Sequence, residues 1–309
     1  MIPFSVLDLA PIVEGGSVAQ ALAHSADLAQ ACERFGYNRF WLAEHHNMPG
    51  IASSATSLAI MNAAAVTKTM RVGAGGIMLP NHAPIVIAEQ FGTLAALYPG
   101  RIDLGLGRAP GTDQRTAMAL RRTMVGGEDR FPQDVLELQA LLGPSEPRQA
   151  VRAVPGENTN VPLWILGSSL FGGQLAAALG LPFAFASHFA PAQMMDAIAM
   201  YRQNFRPSEQ LKKPYVMLGY NVFAADTDEE ARVLATSMMQ SFVALRRGFP
   251  RALPPPDPDF ESKMTETEQA QLAGVRACSA VGSPETVKAA ISAFIAHTGA
   301  DELIIASHI

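Results

Sequence analysis

The stretch FWLAEHHNM, residues 40–48, ends an apolar run with one carboxylate and two adjacent histidines. Neighbouring residues of a strand point to opposite faces, so His45 and His46 cannot both reach one metal from a strand. No HExxH or HxxEH spacing occurs, and no metal site is expected. A histidine facing inward at a strand end is placed for acid–base work near neutral pH. The plainer alternative for His45 is a hydrogen-bonded loop residue, with Glu44 packing outward or holding neighbouring backbone.

Three further stretches carry chemistry. VGAGGIMLPNHAP (72–84) puts Gly73, Gly75 and Gly76 in a buried strand, which glycine weakens. Either a bulge or a flat ligand needs that backbone bare, or a helix packs closely against it. LGLGRAPGTD (104–113) is a poor dinucleotide fingerprint, because Pro110 stands where a third glycine is needed. It leaves Arg108 at a strand end, suited to an anion such as phosphate or to a salt bridge with a loop carboxylate. In WILGSSLFGGQLAAALG (164–180) a strand ends in Gly-Ser-Ser and a helix starts at once. The free N–H groups of such a first turn bind anions, unless Ser168 or Ser169 simply caps them. Arg108 and this turn follow consecutive strands, so together they could grip one phosphate from two sides.

These residues need elements to hold them. Eight apolar runs recur along the chain, at 4–10, 39–45, 71–79, 101–107, 162–167, 182–187, 215–223 and 302–307. They are near-continuously apolar, as in parallel strands covered by helices. Helical patterns separate them, opening at Ser17, Ser53, Pro84 and Pro284, with Gly36 closing the first. Eight strand–helix repeats predict a (β/α)8 TIM barrel in one domain over residues 1–309; an open doubly wound sheet is the alternative. Two insertions are long. One follows strand four, with helical patterns at 112–122 and 131–143. The other, RGFPRALPPPDPDFESKMTETE (247–268), follows strand seven and reads as a flexible loop. The chain stops at Ile309, at the tip of the last strand, so the helix due after strand eight is expected to lie outside this chain. In a barrel the site lies at the C-terminal strand ends. That rule adds Asp8, His188 and His308, each of which could line the mouth or be structural.

Composition bounds the function. The net charge is −5, with 49% hydrophobic and 17% charged residues. No basic stripe exists for nucleic acid. Cys32 and Cys278 lie far apart and make no disulfide or zinc framework, and Cys32 reads as a buried small hydrophobe. The first basic residue is Arg34, so no signal peptide is expected. Residues 158–195 carry no Asp, Glu, Lys or Arg, but prolines and glycines break them too often for a membrane span. A cytoplasmic protein is expected.

The motifs AEHHN, VGAGGIMLPNHAP, YPGRIDLGLGRAPGTD, LGSSLFGGQLAAALGLPFAFASHFAP and VGSPETV, in that order, resemble the bacterial luciferase-like flavin monooxygenases over nearly the whole chain. The resemblance is to the branch of uncharacterised luciferase-like oxidoreductases. It implies FMN on a (β/α)8 barrel, with His45 as the catalytic histidine. Ala74, Gly75 and Gly76 would lie against the flavin ring through a non-prolyl cis peptide. Arg108, Gly167, Ser168, Ser169, Leu170, Phe171 and Gly172 would bind the phosphate. Similar chains carry a polar residue where Leu170 and Phe171 stand, which here leaves the backbone amides to do that work. Residues 247–268 match the family's mobile lid. The resemblance further implies reduced FMN delivered by a separate flavin reductase, and oxygenation of a small organic substrate by O2 through a C4a-peroxyflavin. It implies a homodimer built on the helices after strands two and three. Asp8, His188 and His308 would line the substrate pocket. Two alternatives stay open: hydride transfer with the deazaflavin F420, and a flavin-binding protein without turnover.

Overall fold

The computed structural model describes residues 2–109, 111–120, 130–145 and 150–309. Pro110 and the end of the pattern at 112–122 lie outside the described residues. Parallel strands run β1 (Phe4–Asp8), β2 (Arg39–Leu42), β3 (Arg71–Met78), β4 (Ile102–Gly107), β5 (Leu163–Gly167), β6 (Phe183–Phe185) and β7 (Val216–Ala224). Two more follow, β8 (Ser279–Gly282) and β9 (Glu302–Ala306). Each of β1 to β6 pairs with the next, β6 pairs with β7, β7 with β9, and β9 returns to β1. The ring closes as the expected (β/α)8 barrel.

The ninth strand was not foreseen. β7 runs past the ring, and β8 pairs with that overhang from Asn221↔Ser279 to Ala224↔Gly282. Its four residues, SAVG, carry no apolar run for a sequence pattern to show.

The helices form the outer layer: α1 (Val18–Arg34), α2 (Thr56–Ala65), α3 (Pro84–Leu97), α4 (Gln114–Leu120), α5 (Phe131–Leu142), α6 (Leu170–Leu179) and α7 (Met194–Asn204), then α8 (Asp228–Arg246), α9 (Phe260–Lys263), α10 (Glu266–Ala277) and α11 (Pro284–Thr298). Ser17 caps α1 in a reciprocal capping box with Gln20, and Gly36 turns left-handed just past the helix at φ 77°. Pro84 and Pro284 open their helices as expected. Ser53 does not. Helix α2 starts at Thr56, and the buried Ser53 hydroxyl lies within reach of two carbonyls, Leu9 O at 3.1 Å and Ala43 O at 2.6 Å. It ties the exits of β1 and β2 together. The segment read as a flexible loop is also tied down. Leu253 exchanges backbone hydrogen bonds with Ile12 and Glu14, and Gln240 and Thr236 of α8 hold Pro255 O and Asp257 N.

Strand alternation splits the core in two. Phe40, Leu42, Val72, Leu104, Leu163, Phe183, Val216 and Leu303 face the helices. Leu7, Trp41, Ala43, Trp164, Ala184, Met217 and Ile304 face the barrel axis. Below them, at the N-terminal end, charged groups close the barrel. Arg39 binds Glu302 at 2.8 Å and Asp103 at 2.6 Å, and Asp103 also takes Arg71 at 2.5 Å. The Arg39 guanidinium lies 4.7 Å from the centre of the Trp164 ring, and Tyr215 donates to Glu302 at 2.8 Å. Every buried charge there has a partner, which offsets the cost of desolvation. A ligand must therefore enter from the other end, where β-strand C-termini gather.

Candidate active site at the barrel mouth

His45 follows β2 on the inward parity set by Arg39, Trp41 and Ala43. Its Nδ1 lies 3.2 Å from Gly111 O, and Ser54 donates to its backbone carbonyl at 2.7 Å. Burial pushes its pKa below the ordinary value, and the Gly111 carbonyl only partly offsets this. His45 is thus a neutral imidazole at pH 7. With Nδ1–H fixed on Gly111 O, its Nε2 lone pair is left for a ligand.

Glu44 has the opposite parity and is wholly buried. One carboxylate oxygen accepts the Met78 N–H at 3.0 Å. The other lies 2.8 Å from His46 Nε2 and 2.9 Å from His82 Nε2. Burial opposes ionisation of Glu44, but these bonds prevail and hold its pKa below the usual value. The trio is a clamp joining the β2 and β3 exits behind His45. Its ligand atoms lie within 4.8 Å of one another, a spacing a cation could also use. His82 was missed in the sequence, although NHAP follows β3 and β3 is the neighbour of β2; comparing adjacent strand ends would have found it.

The glycines of β3 are explained by packing. A Cβ on Gly75 would meet Trp41 Cε3 at 2.8 Å and Leu7 Cδ1 at 2.9 Å, and one on Gly76 would meet Gly105 O at 2.7 Å. Gly73 faces the Asp103 carbonyl as closely, at 2.4 Å. The Gly75–Gly76 peptide is cis, and the register with β4 shifts between Ala74 and Ile77. Close approach of β1, β2 and β4, rather than of a helix, thus accounts for the bare strand. The irregular stretch itself lies in the upper half of β3, toward the mouth.

Arg108 follows β4. Its guanidinium lies 4.1 Å from the centre of the Phe171 ring in the first turn of α6. No carboxylate pairs with it among the described residues. Ser169 holds the N-cap position of α6, yet no side chain caps the helix. The two simpler readings, a salt bridge and a serine cap, are therefore absent here. A fixed cation faces free backbone N–H groups across β4 and β5, and Gly167, Ser168, Leu170 and Gly172 build the turn between them. Phe171, where similar chains were expected to be polar, holds the arginine. This donor set fits a phosphate monoester.

His188 follows β6, and its ring covers the bare backbone of Gly219 on β7. A Cβ there would stand 1.9 Å from His188 Nδ1. Burial pushes the His188 pKa down to about 4, helped by His308 and His45. His308 follows β9 on the inward parity of Glu302 and Ile304, and burial lowers its pKa too. His188 Nδ1 and His308 Nε2 are buried without a hydrogen-bond partner among the described residues. Asp8 differs. Leu7 faces the axis, so Asp8 faces α1, where Ser25 and Cys32 lie. Burial raises its pKa, and Oδ1 accepts the Ala10 N–H at 3.0 Å. The structure thus places His45, His188 and His308 just past the C-terminal ends of β2, β6 and β9, with Arg108 and the α6 turn past β4 and β5, and sets Asp8 against α1 while its charge still acts on His308.

Known proteins share this frame. A family model described as luciferase-like monooxygenase matches residues 2–302. A protein of Escherichia coli (strain K12) named luciferase-like monooxygenase is 54% identical over 98% of this chain and 91% of its own length. The N-acetyl-S-alkylcysteine monooxygenase of Bacillus subtilis (strain 168) is 35% identical over 80% of this chain and 75% of its own. The crystal structure of apo-MsnO8 superposes with a TM-score of 0.92 at 35% identity, covering 100% of this chain and 93% of that one. Two solved structures share the fold at lower identity. The oxygenating constituent of 3,6-diketocamphane monooxygenase, in complex with FMN, has a TM-score of 0.70 at 18% identity, covering 99% of this chain and 92% of that one. An F420-dependent secondary alcohol dehydrogenase has 0.67 at 15%, covering 99% and 93%.

Proposed function

The chain belongs to the luciferase-like monooxygenase family, and from that membership we propose that it is an FMN-dependent monooxygenase that uses reduced FMN and O2 to oxygenate a small organic substrate. The observation that carries this is Arg108, stacked on Phe171 with no carboxylate partner among the described residues, beside the uncapped α6. It suits the terminal phosphate of FMN. The ring would then extend over the mouth toward Ala74, Gly75 and Gly76.

Bound and reduced, FMN would supply the electrons that activate O2 for transfer of one oxygen atom. The chain's own part is positional. Arg108 and the amides of residues 168–172 hold the phosphate. Ala43, Leu166, Ala184 and Ile304 give the axis an apolar wall that excludes water. His45, neutral and oriented by Gly111 O, accepts or returns a proton at Nε2. Glu44, His46 and His82 fix the backbone that carries it.

Reduced FMN comes from a separate flavin reductase in this reading. The protein is cytoplasmic, consistent with a fold whose described residues include no helix long and apolar enough to cross a membrane. It pairs as a homodimer through α2 and α3, where Leu58, Met61, Val86 and Leu97 are 41–62% exposed.

The test is turnover under 18O2 with reduced FMN, a reductase and a substrate panel, read by mass spectrometry. One 18O atom in the product, lost without FMN, is expected. The His45→Ala variant should lose about 100-fold or more in rate while still binding FMN. Substrate oxidation that needs F420 and no O2 would replace this reading with hydride transfer. Unchanged chemistry in His45→Ala would remove His45 from it.

A further inference from the structure

The exits of β2 and β3 carry a cluster that the flavin reading uses only as backbone support. Glu44 and His46 stand two residues apart past β2, and His82 follows the short turn after β3. Both rings aim Nε2 at one oxygen. His46 Nε2 lies 2.8 Å and His82 Nε2 lies 2.9 Å from Glu44 Oε1. The Asn81 amide donates to that same oxygen at 3.3 Å, while Oε2 accepts the Met78 N–H at 3.0 Å. A carboxylate oxygen offers about two lone-pair sites, so Oε1 is crowded when both imidazoles donate to it beside Asn81. The crowding is relieved when the rings present Nε2 lone pairs instead. Two such lone pairs beside a carboxylate oxygen need a cation between them.

We propose that Glu44, His46 and His82 bind a divalent first-row transition ion of the Zn2+ type, for which two imidazoles and a carboxylate are suitable ligands. Ligand atoms held about 2.0–2.2 Å from one such ion stand about 2.8–3.4 Å apart when they subtend about 90–110° at it. The two imidazole–carboxylate spacings fall in that range, and all three ligand atoms lie within 4.8 Å of one another. The carboxylate is oriented from behind by the Met78 N–H, as metal ligands commonly are. Glu44 is wholly buried, whereas the His46 and His82 side chains are 16% and 27% exposed, so an ion can enter past the rings. The expectation of no metal rested on His45 and His46 sharing an ion. Here His46 pairs with His82 from the neighbouring strand exit, and His45 takes no part. The ion would cross-link the exits of β2 and β3 on the segment that carries His45. It would do so whether or not the barrel holds FMN.

The test uses untagged full-length protein, stripped with EDTA and titrated with Zn2+ alone by calorimetry. One Zn2+ per chain is expected, bound about tenfold or more tighter than Mg2+ or Ca2+, which prefer oxygen ligands. His46→Gln and His82→Gln each keep a side-chain amide that can donate to Glu44, so the fold should persist, as circular dichroism would show. Each should weaken Zn2+ about tenfold or more. In the parent, Zn2+ should also shift the imidazole 15N signals of His46 and His82, which tests the ligands without any substitution. Zn2+ affinity unchanged in either variant would overturn the proposal. So would ring signals that do not respond, Mg2+ or Ca2+ bound as tightly as Zn2+, or no saturable Zn2+ binding below about 100 μM.

Discussion

Arg108 and His188 each owe their state to what surrounds them. Arg108 is held by an aromatic face and has no carboxylate partner among the described residues, which leaves its charge for a ligand. A charge-assisted hydrogen bond contributes about 1.5–3 kcal/mol, so Arg108→Ala should weaken FMN binding roughly 10- to 100-fold. Riboflavin, which lacks the phosphate, should bind the variant and the parent alike. Equal losses for both ligands in a fluorescence titration would show that Arg108 acts on the ring or on folding. His188 predicts a pH effect. Its folded pKa, about 4, lies below the ordinary 6.5, so the unfolded chain binds more protons between those values. Its share of stability is whole above pH 6.5 and is lost as pH falls toward 4, a difference of roughly 3 kcal/mol. Urea midpoints should therefore drop less between pH 7.5 and pH 5 in His188→Phe than in the parent. The same drop in both would mean that His188 is solvated. His45, Arg108, His188 and His308 were legible from strand ends alone, because parity and the barrel rule place them. Asp8 follows the same rule at the end of β1; its parity sets it against α1, and its charge acts on His308. His82 was missed because its partner Glu44 lies 38 residues away, and only a comparison of adjacent strand ends brings the two together.

At the scale of elements, apolar runs identified the strands that form the barrel. They were silent on β8, whose small residues need only the overhang of β7. The charged floor was equally hidden. Arg39, Arg71, Asp103 and Glu302 sit at the starts of separate strands, and only ring closure brings them together. Removing Arg39 would leave two buried carboxylates short of a partner, so Arg39→Ala should cost about 3–5 kcal/mol. Chemical denaturation measures it, and a loss below about 1 kcal/mol would mean that water enters the floor. The glycines of β3 have a matching test. In Gly75→Ala the new methyl meets Trp41 and Leu7, an overpacking that costs about 1–3 kcal/mol. A variant as stable as the parent would show that the axis has room to spare and that packing is not why the strand is bare.

For the whole molecule, one end of the barrel is closed by ion pairs and the other carries His45 and Arg108, so the proposed binding and chemistry share a single face. The exposed apolar residues of α2 and α3 form the surface proposed for a second copy. Leu58, 62% exposed, is a direct probe. Leu58→Glu should shift the protein from dimer to monomer in light scattering at micromolar concentration, and a parent that is already monomeric would remove that interface. The claim on which the rest depends is the flavin site. Its most direct measurement is an anaerobic titration of the parent and Arg108→Ala with reduced FMN, riboflavin and F420. FMN should bind the parent about tenfold or more tighter than riboflavin does, and Arg108→Ala should bring the two together. Binding of F420 without FMN, or an FMN affinity untouched by the loss of Arg108, would contradict the account.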